Sequence, residues 1–279
     1  MEHTGKPAPF ARPAKSAAPE KSKARAWATR LLEFGVVAAI VVAGYLSYRN
    51  KQMDRLYGEA AGYPEFFRGT RQSTDAVRKL ARYRGRRATA MLLDIALGHT
   101  LMVSGDLQVE AIKDLAMRDD PQVPVAVAEL LQPQEGLDTR QAAATALQHL
   151  PCRDECNRSI LHYLERIWRG EPNYEDRTPL PPDFRDVTAS LQEDQQTLYG
   201  NLYSVLRRER METLTNLVKV YGLGTDAPSA FALDLISRLG MRDACPLLLR
   251  SDQAIQRHLT DYVAPRSQLQ SAKASLNCK

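Results

Sequence analysis

Cys152 and Cys156 are the pair of residues in this chain whose types and spacing come closest to chemistry. They form a CxxxC directly after Pro151, at an expected helix start. In an oxidising compartment two such thiols close into a local disulfide, although cysteines four apart on a regular helix point imperfectly toward each other. In a reducing compartment they stay thiols, and a helix N-terminus could lower the pKa of one of them. Metal and redox chemistry fit less well. An iron–sulfur cluster needs more thiolates. The CxxxCxxC pattern fails because Ser159 stands where the third cysteine belongs, and a thioredoxin-type CxxC needs two intervening residues. His3, His99, His149, His162 and His258 each lack an adjacent Glu or Asp, so no metal ligand set is expected. Gly-rich phosphate loops, GxSxG and HExxH are absent, and no cofactor is expected.

A basic run is the second feature. Arg68, Arg71, Arg78, Lys79, Arg82, Arg84, Arg86 and Arg87 crowd a short stretch, with Phe66 and Phe67 at its start and Tyr83 within it. Read plainly, this is a solvated helix face. Read functionally, Arg78, Lys79, Arg82, Arg84, Arg86 and Arg87 contact anionic lipid headgroups. Nucleic-acid binding would require a cytosolic domain and is not expected.

These residues need elements to carry them. The chain has 279 residues, 44% hydrophobic and 25% charged, with a formal net charge of +5. That is enough for one or two domains with real cores. The pI of about 9.0 suits an anionic surface without selecting one. Four cysteines are too few for a disulfide-built scaffold.

Residues 1–28 are rich in Pro, Ala and Lys and read as a disordered basic tail. Residues 31–48, LLEFGVVAAIVVAGYLSY, are apolar or Gly throughout from Phe34 to Leu46. Eighteen helical residues reach about 27 Å, close to a hydrocarbon core of about 30 Å. Trp27 on one side and Tyr45 and Tyr48 on the other match interfacial aromatic belts. The expectation is a transmembrane helix with its flanks over 29–55. A buried core helix and a cleaved signal peptide are the competing readings. Lys15, Lys21, Lys23, Arg25 and Arg30 precede the span, against Arg49, Lys51 and Arg55 after it. The basic excess favours a cytoplasmic N-terminus and an extracytoplasmic C-terminal domain.

Beyond the span the apolar residues recur at i, i+3, i+4 and i+7, the pattern of packed amphipathic helices. Ser73 or Thr74 is expected to open one helix, Asp106 another, Asp120-Pro121 a third and Asp138 or Thr139 a fourth. Met91, Leu92, Ile95 and Ala96 mark a face that Leu101 and Met102 extend. Ile160 to Trp168, Leu198 to Leu206, Leu214 to Tyr221 and Phe231 to Leu239 mark further faces, and a final pair covers 244–249 and 252–263. The expected organisation is a first helical part over 56–170, a Pro-rich loop at 171–185, a second helical part over 186–264 and a polar, fraying tail over 265–279.

Three stretches carry a resemblance: DPQVPVAVAELL at 120–131, DTRQAAATALQHL at 138–150 and SAFALDLISRLGMRDACPLLL at 229–249. They resemble HEAT-type helical repeats, with an Asp-Pro opening and alanines that let helices approach closely. No period of about 40 residues links them, and Val125 is followed by Ala126 where many such helices have Val-Arg. The resemblance implies an all-α fold, an irregular α-solenoid behind the membrane helix. A compact non-repeat helical domain is the alternative. The expected function is a membrane-anchored interaction module that binds a protein partner without catalysis. An enzyme of unrecognised class using the Pro-rich loop stands beside it.

Overall fold

The computed structural model describes residues 20–66, 69–101, 104–132, 134–169, 193–224, 227–258 and 264–278, leaving aside the side chains of 20–33, 70, 193–196, 227, 256–258 and 264–266. Among the described residues the protein is all-α, with 12 helices packed in chain order. They are α1 (Glu20–Ala60), α2 (Thr70–Ala81), α3 (Arg86–Ala96), α4 (Gly105–Leu115), α5 (Gln122–Glu129) and α6 (Leu137–Leu147). Then come α7 (Asp154–Trp168), α8 (Glu193–Arg208), α9 (Arg210–Tyr221), α10 (Ala227–Leu239), α11 (Cys245–His258) and α12 (Ala264–Leu276). A 3₁₀ turn at Arg242–Ala244 leads into α11.

Internal contacts divide the chain into residues 1–52 and 53–279. In the first unit the described helix runs from Glu20, within the stretch 1–28 expected as a disordered tail. The run EKSKARAWA is built mostly of good helix formers, and no proline falls between Pro19 and Pro64. Residues 1–19 lie outside the described residues, as does the Pro-rich loop at 171–185. Among the described residues no helix is long and apolar enough to cross a membrane. The expected span includes residues 31–33, whose side chains are not among those described. Residues 34–48 are helical and every one is exposed.

In the second unit the helices form two rows. α2, α4, α6, α8, α10 and α12 pack successively in one row, and α3, α5, α7 and α9 in the other. Small residues stand at the contacts of the first row: Ala111 of α4 and Ala143, Ala144 and Ala146 of α6 are buried. The core is continuous, from Val77 and Leu80 of α2 through Leu115, Leu147 and Leu206 to Leu269 of α12.

Several expected boundaries move for local reasons. α3 stops at Ala96 because Gly98 takes a φ of +68° and the His99 N–H returns to the Asp94 carbonyl at 2.9 Å. Leu101 therefore lies outside the helix, exposed. Where a pair of helices is expected over 244–249 and 252–263, the described residues form one helix, α11, to His258, and residues 259–263 lie outside the described residues. Asp252 does not open a second helix; it is buried within α11 and takes the Lys273 ammonium at 2.6 Å. The tail expected over 265–279 is mostly α12, whose Leu269, Ala272 and Leu276 are buried against α10 and α11. Its spacing of three and four was present in a stretch otherwise too polar to stand out.

Helix ends within the first row are met by arginines from its neighbours. Arg118, just past α4, donates to the carbonyls of Ala81 and Tyr83 at the end of α2, both at 2.7 Å. Arg208, the last residue of α8, donates to Leu147, Gln148 and Leu150 at the end of α6. Arg207 reaches the Arg238 carbonyl at the end of α10, at 3.2 Å. These are carbonyls that an isolated helix leaves without partners.

α7 and α9 are joined by a buried polar cluster. Asn157 donates to Thr213 Oγ1 at 2.8 Å, Thr213 donates to the Leu206 carbonyl at 3.0 Å, and Asn216 donates to Asn157 Oδ1 at 3.2 Å. All three residues are buried. Thr213→Val keeps the shape and leaves the Asn157 amide without its acceptor. We expect it to lower stability by about 1–3 kcal/mol, with Thr215→Val, on the exposed side of α9, close to neutral. Urea unfolding would read this as a lower midpoint at an unchanged slope. Equal midpoints for the two variants would refute it.

Candidate functional site

Pro151 to Arg153 are non-helical and α7 begins at Asp154, so Cys152 precedes the helix while Cys156 sits in its first turn. That offset removes the orientation problem two cysteines have on a regular helix. Their Cα atoms lie 5.1 Å apart and the pair is disulfide-bonded and buried. A second disulfide joins Cys245, at the start of α11, to Cys278, just past α12, with Cα atoms 5.3 Å apart. Sequence reasoning missed this pair. The two residues are 33 apart and Cys278 lay in the presumed tail; only the even number of cysteines hinted at it. No cysteine is free.

The six basic residues separate into two groups. Arg78 of α2 is drawn to Glu110 of α4 at 2.6 Å. Arg87 of α3 pairs with Asp54 of α1 at 2.6 Å, and Arg84 donates to the Met117 carbonyl at 3.3 Å. These three link elements of the body. Lys79, Arg82 and Arg86 are exposed and make no ion pair among the described residues.

The histidines whose side chains are described do not converge on one another. His99 lies 4.0 Å from Asp94 and His162 3.7 Å from Glu165, single contacts at exposed rings. Among the described residues no group of three or more His, Cys, Asp or Glu could hold a metal ion. A shallow polar cleft between α5 and α7 is lined by Glu129, Gln132, Glu155, Arg158 and His162, with Arg158 already paired to Asp154 at 3.0 Å.

Asp114 of α4 is the one carboxyl whose titration is clearly displaced among the described residues. Burial first, and then the neighbouring Glu110 carboxylate, push its pKa up to about 6, against the pull of Arg118 and Arg78. Its Oδ2 is buried with no hydrogen-bond partner among the described residues. An acid whose pKa rises on folding favours the protonated folded state. No family model, curated protein or solved structure matches the chain.

Two expectations follow from these groups. The first concerns the cysteines. Chain entropy assigns about 4 kcal/mol to a cross-link closing 33 residues and about 2 kcal/mol to one closing four. Cys245→Ser with Cys278→Ser should therefore lower the melting temperature more than Cys152→Ser with Cys156→Ser, and the reverse order would refute the entropic account. The second concerns Asp114. Its contribution to stability is fully present below about pH 4 and is lost as pH rises through about 6. Melting curves between pH 4 and 8 should show Asp114→Asn gaining on the parent chain as pH rises. A constant difference would mean that Asp114 titrates normally.

Proposed function

We propose that the chain is a membrane-anchored helical scaffold: residues 31–48 enter a bilayer, and the body from Met53 onward offers its surface to a protein partner. One observation carries the reading. Phe34, Val36, Val37, Ile40, Val41, Val42, Tyr45, Leu46 and Tyr48 are all exposed on a single helical stretch. Helical residues apolar on every side are costly in water and favourable in hydrocarbon. The helix satisfies its own backbone groups, as a lipid-facing segment must.

The body suits a scaffold of the HEAT-like, irregular α-solenoid kind. Its two rows place α2 to α10 and α12 each against a helix two along, and stacking of that sort builds extended surfaces without a central pocket. Lys79, Arg82 and Arg86 are the three of the six basic residues best placed to meet anionic headgroups, since no acid among the described residues occupies them. The two disulfides support an extracytoplasmic body and a cytoplasmic N-terminus, because such bonds persist in oxidising compartments.

Alkaline carbonate extraction tests the anchor. The full chain should stay with the membrane pellet, and deletion of residues 31–48 should release it. A full chain recovered in the supernatant would sink the reading. In the same preparation, a reporter fused after Lys279 that is active only outside the cytoplasm should be active; activity of a cytoplasmic reporter instead would reverse the orientation.

A further inference from the structure

We propose that the cleft formed by Tyr57, Tyr63 and Phe66 with Asp54 and Glu65 binds an alkylated ammonium group. These residues line one opening of about 420 Å³. Tyr57 and Tyr63 stand with ring centroids 6.2 Å apart at an interplanar angle of 55°, a tilted pair rather than a stacked one, so neither ring fully covers the other. Phe66 forms a further wall. Tyr63 and Phe66 are each more than one-third exposed, so the cleft is open to a ligand.

The cleft is built by the local chain. The segment after α1 folds back through the Tyr63 N–H to the Gly58 carbonyl at 3.0 Å and the Phe66 N–H to the Tyr63 carbonyl at 2.9 Å. Gly58 lies in the last turns of α1, where glycine costs about 0.5–1 kcal/mol relative to alanine. A Cβ there would stand 2.6 Å from Phe66 Cδ2 and 3.2 Å from its Cε2. The missing methyl group is the space in which the Phe66 ring sits.

The chemistry selects a soft cation. Aromatic faces attract cations through their quadrupoles, most effectively when the cation sheds water easily. A quaternary or methylated ammonium does so, and its methyl groups gain from the apolar lining. Glu65 supplies negative charge, Asp54 shares its own with Arg87, and among the described residues no basic side chain lines the opening. Arg87 pairs with Asp54 and His99 approaches Asp94, but Glu65 has no such partner among the described residues. The Tyr57 hydroxyl donates to Asp94 Oδ2 at 3.3 Å, which leaves its ring electron-rich. Burial and then Asp94 push this phenol up to about 12, so it remains a donor. The same head chemistry could come from a choline lipid or from a soluble methylated amine.

The test uses the full chain in dodecyl maltoside, a detergent without an ammonium group. Choline and its neutral isostere 3,3-dimethylbutan-1-ol are compared by saturation-transfer NMR of their methyl protons. Choline should bind at least about fivefold more tightly than the alcohol. Tyr63→Leu and Gly58→Ala should each weaken choline about fivefold, while Tyr63→Phe retains binding. Circular dichroism checks the fold of each variant, and Glu65→Gln, at an exposed position, gives a second loss independent of packing. Equal affinity for the alcohol, no choline binding, or full binding by folded Tyr63→Leu would overturn the proposal. The source is read in nanodiscs. Loss of added choline binding in phosphatidylcholine but not phosphatidylglycerol discs assigns a lipid headgroup, and binding in both assigns a soluble amine.

Discussion

A row of helices whose C-terminal ends lie side by side gathers unpaired carbonyls and the negative ends of helix dipoles in one place. Both effects oppose stacking, since orphan carbonyls need donors and like partial charges repel. The first row of this protein answers with guanidinium groups. Arg118 bridges from the end of α4 to the end of α2, Arg208 from α8 to α6, and Arg207 from α8 to α10. A guanidinium offers several donors in a plane, so it can hold more than one carbonyl at once where an ammonium would act as a point charge. Burial lowers the pKa of Arg118, and the nearby Arg84 adds to the effect. The price of burying a cation is met by charge-assisted hydrogen bonds to the helix end. The alanine contacts and the continuous core both presuppose that these ends can come together.

The second row is fastened differently. α7 has a disulfide at its start, a fully buried Asn157 facing Thr213 and Asn216 of α9, and near its end a buried Glu165 joined to Arg169. The Asn157 contacts fix the register between α7 and α9, which apolar packing alone would leave freer to slide, while the disulfide and the Glu165–Arg169 pair hold the two ends of α7 itself. The 15-residue length of α7 spaces these fastenings over about four turns.

Periodicity made the helices legible wherever the apolar face was wide. Asp120 does hold the Gln122 N–H at 3.1 Å, and the Ile160 to Trp168 face does belong to one helix. Reading failed where the stabilising partner lay far along the chain. Asp252 reads locally as a helix start, but its partner Lys273 is 21 residues away. α12 shows only Leu269, Ala272 and Leu276 as an apolar stripe, too thin to outweigh its serines and glutamines without α10 beside it. The basic run was visible as composition. Its division into Arg78, Arg84 and Arg87, held by the body, and Lys79, Arg82 and Arg86, left outward, was not, because Glu110, Asp54 and the Met117 carbonyl come from three other segments. The aromatic cleft was hidden for a similar reason: Gly58 and Phe66 are close in sequence, but only the turn between them brings ring onto backbone.

A stack of helices has two ends, and each end is a surface on which the next layer could grow. α12 is the outermost helix of its row in this body. Leu269, Ala272 and Leu276 face inward, Lys273 and Ser275 are tied to Asp252 and Ser237, and Cys278 is clamped to Cys245. Ser267, Gln268, Gln270 and Ser271 are turned to solvent. Among the described residues this face offers no apolar edge on which a second copy could add a layer, and the covalent clamp keeps α12 from peeling away to expose α10.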